Sequence, residues 1–417
     1  MCCVLVKKMK SNLKFKIIDN GVVAPKGFNA NGIKEGKYGV GIIYSEKECE
    51  TSATFTTNKV VAHPVILSKE ILKNNRNKIR AIVANSGNAN CFTKNGYYDS
   101  KEMVKETANL LNIPENSILV ASTGVIGRKM PMDIIKDRIH KTNELLQKGN
   151  NNDYIAKSIM TTDAFPKICA VEFEVNGAPV RIGAVAKGAG MIAPDMLHAT
   201  MLCFITTDIN INNNDLTKSL QNAVNESFNN AVVDGDTSTN DTVFILANGE
   251  SGVNYGECNE LFDEALQFVC IEMAKLMVKD GEGATKLMEV NVKGAPSKED
   301  AIKASKSVVR SLLVKTALYG EDPNWGRIAA SVGYSGIDID MDKIDIIIGN
   351  SDNEVMLVNN GAPIADEGTE ELKLAENIMK NKEIKIIVDL KMGDYENTAF
   401  GCDLGHEYVK INSEYTT

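Results

Sequence analysis

The sequence predicts a mixed α/β fold, and three features of the 417-residue chain lead to that prediction. Short apolar or β-branched runs bounded by Gly, Asn or Asp recur along the whole chain, as is typical of buried strands. Segments with the spacing of amphipathic helices lie between these runs. Hydrophobic residues make up 43% of the chain and charged residues 24%, which excludes wholesale disorder and allows a large core.

The predicted elements occur in both halves of the chain. The predicted strands are 40–44, 79–84, 118–122, 182–186, 201–207, 242–247 and 383–390. The predicted helices are 100–111, 132–147, 215–229, 260–278, 298–318 and 369–380. Ser297, followed by two acidic residues, predicts the N-terminal cap of the fifth helix. Apolar and β-branched alternation over 408–411 predicts a terminal strand.

Charge and composition exclude several classes of protein. The net charge is -9 and no basic stretch is present, which argues against a nucleic-acid binder. No run approaches the length of a membrane-spanning helix, and the first apolar run is too short for an export signal. The nine cysteines form no CxxC pair, so neither a disulfide framework nor a zinc site is indicated. We therefore expect a cytoplasmic protein.

The common catalytic and ligand-binding patterns are weak in this chain. His63 precedes a proline and His140 lies in a charged helical pattern, so surface or packing roles are favoured for both. The 281–286 stretch lacks the full phosphate-loop pattern, and Glu282 would repel a phosphate. The oxygen-rich 234–241 stretch lacks EF-hand spacing, so we expect a hydrogen-bonded loop that supports a site, without a metal.

A threonine nucleophile is the remaining chemistry. Its simplest base is its own α-amino group, whose unperturbed pKa lies near 8. An internal threonine obtains that group when its hydroxyl attacks the preceding carbonyl and water then cleaves the resulting ester. The Ala199–Thr200 pair is one of many dipeptides in the chain that could meet this requirement.

Several sequence blocks resemble the ornithine acetyltransferase family, and they occur in the family's order from residue 24 to residue 417. In chain order the blocks are APKG at 24–27, NSGNANCF, STGVIG, MTTD at 160–163, AKGAGMIAP, ATML at 199–202, VDGDTSTNDT, DGEGATK, GEDPNWGR and INSEYTT. The resemblance implies a self-processing fold of packed sheets and helices. In that fold, fragments 1–199 and 200–417 form one unit, and two such pairs form a heterotetramer.

The same resemblance implies a glutamate N-acetyltransferase of arginine biosynthesis. Acetyl would move from N2-acetylornithine to glutamate through an ester on Thr200, in a ping-pong reaction that needs no cofactor. Acetyl-CoA is a second acetyl donor in some family members, and no residue of this sequence decides that point. Thr123 and Gly124 match the family's oxyanion hole, which stabilises the charge that develops on the carbonyl oxygen.

Further positions match the family's substrate contacts: Thr161, Lys187, Thr200, Glu282, Asn412 and Thr417. Both substrates are zwitterionic, so a lysine can pair with a carboxylate and a glutamate with an ammonium group. The chain departs from the family pattern at two places. Leu197 and His198 lengthen the approach to the cut as a spacer or as an aid to cleavage, and Ala164 replaces a common threonine.

Two other functions are compatible with the same residues. A hydrolase of the same self-cleaving fold, such as an aminopeptidase, would share the nucleophile and the oxyanion hole. A non-catalytic binding protein would keep the chain uncut. The substrate-matching blocks favour the transferase.

Removal of Thr416 and Thr417 tests the predicted contact of the C-terminus with substrate. We expect the shortened chain to fold and to show a sharply raised KM for acetylornithine, because a terminal hydrogen-bonding group is lost. Steady-state kinetics at matched concentrations of cleaved enzyme measure this. Unchanged kinetics would contradict the assignment of Thr417.

Overall fold

The structure is a computed structural model that describes residues 13–192 and 201–414. The described residues form sixteen strands: β1 Lys16–Ile18, β2 Phe28–Glu35, β3 Tyr38–Phe55, β4 Ile79–Ser86, β5 Ile118–Ser122, β6 Lys167–Val175, β7 Ala178–Lys187, β8 Leu202–Thr207, β9 Ala231–Val232, β10 Thr242–Ala247, β11 Leu287–Ala295, β12 Asp345–Gly349, β13 Glu354–Asn359, β14 Ala362–Pro363, β15 Glu383–Asp389 and β16 Tyr395–Cys402.

The same residues form eleven α-helices: α1 His63–Asn75, α2 Gly96–Leu111, α3 Met132–Lys148, α4 Asn152–Ile159, α5 Asn213–Asn225, α6 Asn259–Lys279, α7 Lys298–Arg310, α8 Leu312–Tyr319, α9 Trp325–Gly333, α10 Glu370–Met379 and α11 His406–Glu414. The mixed α/β prediction is confirmed. None of the described helices has the length and apolar character needed to cross a bilayer.

The first sheet has nine strands in the order β1-β6-β7-β8-β10-β3-β4-β5, with β2 paired to β3. The 18-residue strand β3 pairs with β2 and β4 over its first part and with β10 over its last six residues. Strands β8 and β10 are parallel neighbours, and every residue of both is buried. Burial on both faces explains why these two strands are almost continuously apolar runs.

Aromatic and aliphatic side chains form the apolar core around each sheet. Phe204 of β8 stacks on Phe244 of β10, with ring centroids 5.9 Å apart. The second sheet has the order β14-β13-β12-β15-β11-β16-β9 and its own apolar core, in which Val292, Val308 and Ile346 are fully buried.

Helix boundaries follow the predictions where a local signal exists. Ser297 caps α7 by accepting the Asp300 N–H at 3.1 Å, as predicted. The predicted single helix 298–318 is wrong, because the chain breaks at Ser311. This residue is extended, with φ -63° and ψ 114°, and its hydroxyl accepts the Val314 N–H to begin α8.

The predicted terminal strand over 408–411 is also wrong, since these residues lie in α11. The side chain of Val409 is 67% exposed, so its apolar character does not report a buried sheet face. Helical spacing instead places Tyr408 and Asn412 one turn apart on the same face. Both line the cavity described below.

Candidate active site

A cavity of about 250 Å³ brings together six of the predicted site residues: Thr123, Gly124, Thr161, Lys187, Glu282 and Asn412. They come from segments far apart in sequence and on both sides of the predicted cut. Ala199, Thr200 and Thr417 lie outside the described residues, as do Leu197 and His198, so their assigned roles stay predictions. His63 and His140 do not line this cavity.

Lys187, the last residue of β7, is the buried cation of the cavity. Its Nζ donates to the Thr161 hydroxyl at 2.9 Å and to the Thr123 hydroxyl at 3.1 Å. Burial lowers the pKa of Lys187, while the nearby Asp163 carboxylate acts in the opposite direction and favours the charged form. The ammonium is thereby held by two neutral hydroxyls and can still pair with an incoming anion.

The turn after β5 has a conformation that only glycine fits. Gly124 has φ +129°, and a Cβ there would lie 2.4 Å from the carbonyl carbon of Gly87. The preceding Thr123 is fixed by its backbone N–H, which donates to the Asn85 carbonyl at 3.0 Å. The sequence therefore specifies a rigid cavity wall at these two positions.

Glu282 also lines the cavity, in the loop after α6. One carboxylate oxygen accepts the Asn412 side-chain N–H at 2.8 Å, which links the loop to α11. A Cβ on Gly190 would lie 2.4 Å from the Glu282 carboxylate, so the AKGAG block and this loop pack directly on each other. Burial raises the pKa of Tyr408, and the negative charges of Asp234 and Glu282 add to that effect.

A buried triad of Asp163, Lys167 and Asp280 lies behind the cavity. The Lys167 Nζ is 2.7 Å from Asp163 Oδ1 and 2.5 Å from Asp280 Oδ2, and the lysine side chain is fully buried. Burial alone would raise the pKa of the Asp163 carboxyl, but Lys187 and Lys167 together hold it well below its usual range.

The triad also fixes the backbone around the site. Asp163 accepts the N–H of Gly188 at 2.7 Å and the N–H of Thr161 at 2.9 Å. Asp280 accepts the Ala164 N–H with both oxygens, at 3.0 and 3.2 Å. The loop that carries Thr161 and the end of β7 are therefore tied to the end of α6.

The 234–241 loop is hydrogen-bonded to the cavity walls, as predicted. Asp234 accepts the Met191 and Ile192 N–H groups at 2.6 and 2.9 Å. The Asn240 side chain donates to the carbonyls of Ala89 and Ser122 at 2.6 and 2.8 Å. This loop therefore joins three segments of the site: the one after β7, the one after β4 and the end of β5.

Neither the triad nor the role of Tyr408 was expected from the sequence. Asp163 ends the MTTD block and Asp280 begins the DGEGATK block, while Lys167 lies four residues after Asp163. Charged residues are mostly exposed, and nothing in the sequence marks these three as buried partners. An acid and a lysine four residues apart in an apolar context is the one local signal.

A buried cation, two hydroxyls, a glycine turn and a facing carboxylate are typical of an enzyme that binds a small charged metabolite. The ArgJ family model matches residues 26–417, and the chain belongs to that family. It is therefore an acyltransferase whose function lies in arginine biosynthesis.

Curated relatives cover nearly the whole chain. The glutamate N-acetyltransferase of Methanocaldococcus jannaschii is 67% identical over 402 residues, which are 96% of this chain and 100% of that protein. The arginine biosynthesis bifunctional protein ArgJ of Caldanaerobacter subterraneus is 46% identical over 411 residues, with coverage of 96% and 100%. Among solved structures, the bifunctional protein argJ of Bacillus halodurans is 41% identical, with a TM-score of 0.47, and covers 51% of this chain and 98% of that one.

The buried triad predicts a large effect of Lys167→Met. Two carboxylates would lose their common cation in the interior, which costs about 3–5 kcal/mol of the free energy of unfolding. Urea unfolding followed by circular dichroism measures the loss. Lys141→Met is the matched control, because Lys141 forms an exposed pair with Asp137 at the same four-residue spacing, 3.0 Å apart. Similar unfolding midpoints for the two variants would contradict the role of the triad.

Proposed function

We propose that this protein is a glutamate N-acetyltransferase that transfers acetyl from N2-acetylornithine to glutamate through an ester on Thr200. One observation carries the proposal: the Lys187 ammonium, held by two hydroxyls, and the Glu282–Asn412 pair line the same cavity. This arrangement offers a cation and an anion to a zwitterionic amino acid. The names of the curated relatives support the same reaction.

In the first half-reaction, the Thr200 hydroxyl attacks the acetyl carbonyl of acetylornithine and its proton passes to the Thr200 α-amino group. Thr123 and the Gly124 N–H stabilise the oxyanion. The C–N bond then breaks, and the ornithine amine leaves with that proton. Glutamate reverses these steps by attacking the ester with its own amine, which gives N-acetylglutamate and restores Thr200.

Cleavage between Ala199 and Thr200 is part of the proposal, since it frees the α-amino group. Lys187 and Leu202 are register partners in the antiparallel pair β7 and β8. The connection between these strands therefore leaves and re-enters the sheet beside Lys187, at the cavity. This placement supports a cut that yields fragments 1–199 and 200–417, with the nucleophile next to the oxyanion residues.

The assembly and the range of substrates complete the proposal. We propose a cytoplasmic heterotetramer of two pairs of fragments that needs no cofactor. Acetyl-CoA is proposed only as an additional donor. The support is mixed, because one relative is named a glutamate N-acetyltransferase and another is named a bifunctional protein.

Thr200→Ala is expected to abolish both cleavage and acetyl transfer, because one hydroxyl performs both attacks. Denaturing gels and an assay of N-acetylglutamate formation measure the two outcomes. Thr162→Ala, which changes another cavity threonine, is the matched control and should leave cleavage intact. Transfer activity retained in Thr200→Ala would refute the mechanism.

The choice of acceptor separates the transferase from a hydrolase of the same fold. We expect ornithine release from acetylornithine to be slow without glutamate and to rise at least about tenfold with it, because the acetyl ester awaits an amine. Equal rates with and without glutamate would favour hydrolysis. A parallel assay with acetyl-CoA and glutamate decides whether the second donor is used.

A further inference from the structure

Asp241 is a buried acid that the proposed reaction leaves without a role. It directly precedes β10, at the end of the 234–241 loop, and is fully buried. Within residues 13–192 and 201–414, neither of its carboxylate oxygens has a hydrogen-bond partner of normal geometry. An unpaired carboxyl in the interior destabilises a folded protein, because burial removes it from water without supplying a partner. Such a group calls for a functional reason.

The surroundings of Asp241 are set by the start of β8. The Thr242 N–H donates to the Met201 carbonyl at 2.9 Å, and Thr242 pairs in parallel register with Leu202. The Met201 N–H and Ser238 face the Asp241 carboxyl and favour its charged form. Burial is stronger and raises the pKa of this carboxyl well above its usual range.

The charged groups nearby are those of the cavity. Lys187, at the end of β7 two strands away in the sheet, acts on Asp241 and partly offsets the effect of burial. The charges of Asp163 and Glu282 favour the charged form of Lys187, and the charge of Lys167 opposes it. Lys187 donates its hydrogen bonds to the two threonine hydroxyls, so it does not serve as a direct partner of Asp241.

Cleavage as proposed would create an α-amino group close to the Asp241 carboxyl, because the Thr200 nitrogen is covalently joined to Met201. The nitrogen of Thr200 is joined to the nitrogen of Met201 through three covalent bonds, so the two atoms are less than about 4 Å apart in any conformation. The Met201 N–H faces the Asp241 carboxyl. Before cleavage the Thr200 nitrogen is a neutral amide. Afterwards it is an amine that can carry a positive charge beside the unpaired acid.

We propose that Asp241 is the positioning residue for the α-amino group of Thr200 that cleavage frees. This inference rests on the proposed function. When the Thr200 hydroxyl attacks acetylornithine, its proton moves to the α-amino group, and the ammonium that forms is stabilised by the Asp241 carboxylate. The proton leaves again with the ornithine amine. An aspartate supports the imidazolium of a Ser-His-Asp triad in the same electrostatic way.

Asp241→Asn tests this role in the cleaved enzyme. Loss of the carboxylate should make the ammonium less favourable, so the pKa of the Thr200 amine falls by about one unit or more. The acidic limb of the kcat–pH profile should shift to lower pH by the same number of pH units. We expect kcat to fall about 10–100-fold, as for loss of a group that assists proton transfer. KM for acetylornithine should stay within about twofold, because no substrate contact is removed.

The pKa of the Thr200 amine is measured directly by competitive labelling with acetic anhydride across a pH series. Mass spectrometry of the peptide that begins at Thr200 then gives the labelled fraction at each pH. Asp208→Asn is the matched control. Asp208 is also fully buried, follows the other end of β8, and accepts the Lys26 and Arg181 N–H groups at 3.0 and 2.8 Å. Its replacement should leave the titration of the amine unchanged.

The outcomes separate this inference from the proposed function. An uncut or inactive wild-type chain would defeat the proposed function. An active, cut wild type with the same amine titration in Asp241→Asn would overturn the inference alone. A folded Asp241→Asn chain that stays uncut at every pH would also overturn it, because the acid would then be needed before the amine exists. If Asp241→Asn does not fold, Asp241→Ser leaves room for water and is measured in the same way.

Discussion

The site depends on one interaction, the position of the Lys167 ammonium between the Asp163 and Asp280 carboxylates. Removing three charges from water is costly, and a buried ion pair is tolerated when its geometry is good and the remaining oxygen lone pairs are hydrogen-bonded. Here both acids also accept backbone N–H groups, from Thr161, Gly188 and Ala164. The same atoms that neutralise the lysine therefore fix the loops that present the site.

This arrangement leaves Lys187 available. Asp163 accepts hydrogen bonds from the Lys167 ammonium and from backbone N–H groups. The hydrogen bonds of Lys187 are donated to neutral hydroxyls. The cavity thus contains a cation that is stabilised from a distance and is not neutralised by direct contact. In the same cavity, Glu282 is oriented by Asn412, which lies on a helix where the sequence pattern had predicted a strand. The cavity therefore contains side chains of both charges, as the zwitterionic character of the proposed substrates requires.

Much of the fold and of the site could be predicted from sequence, for identifiable reasons. Strands 118–122 and 242–247 are found at their predicted bounds, because strands buried on both faces are continuous apolar runs. The six described site residues converge because each lies in a recognised block of sequence. The break at Ser311 was missed because the apolar pattern continues on both sides of this cap residue. Helix α11 was missed because alternation over four residues does not distinguish a strand from an exposed helix. The buried triad was missed because a partner about 110 residues away in sequence gives a charged residue no local signature.

The strand order of the first sheet has a consequence for the timing of maturation. Strands β8 and β10, from the second predicted fragment, lie between β7 and β3 from the first. Neither stretch of chain can complete this sheet alone. If the chain is cut as proposed, the residues around the cut are therefore brought together only after both stretches have paired. Cleavage would then depend on correct folding, and a misfolded chain would not gain the reactive N-terminal threonine.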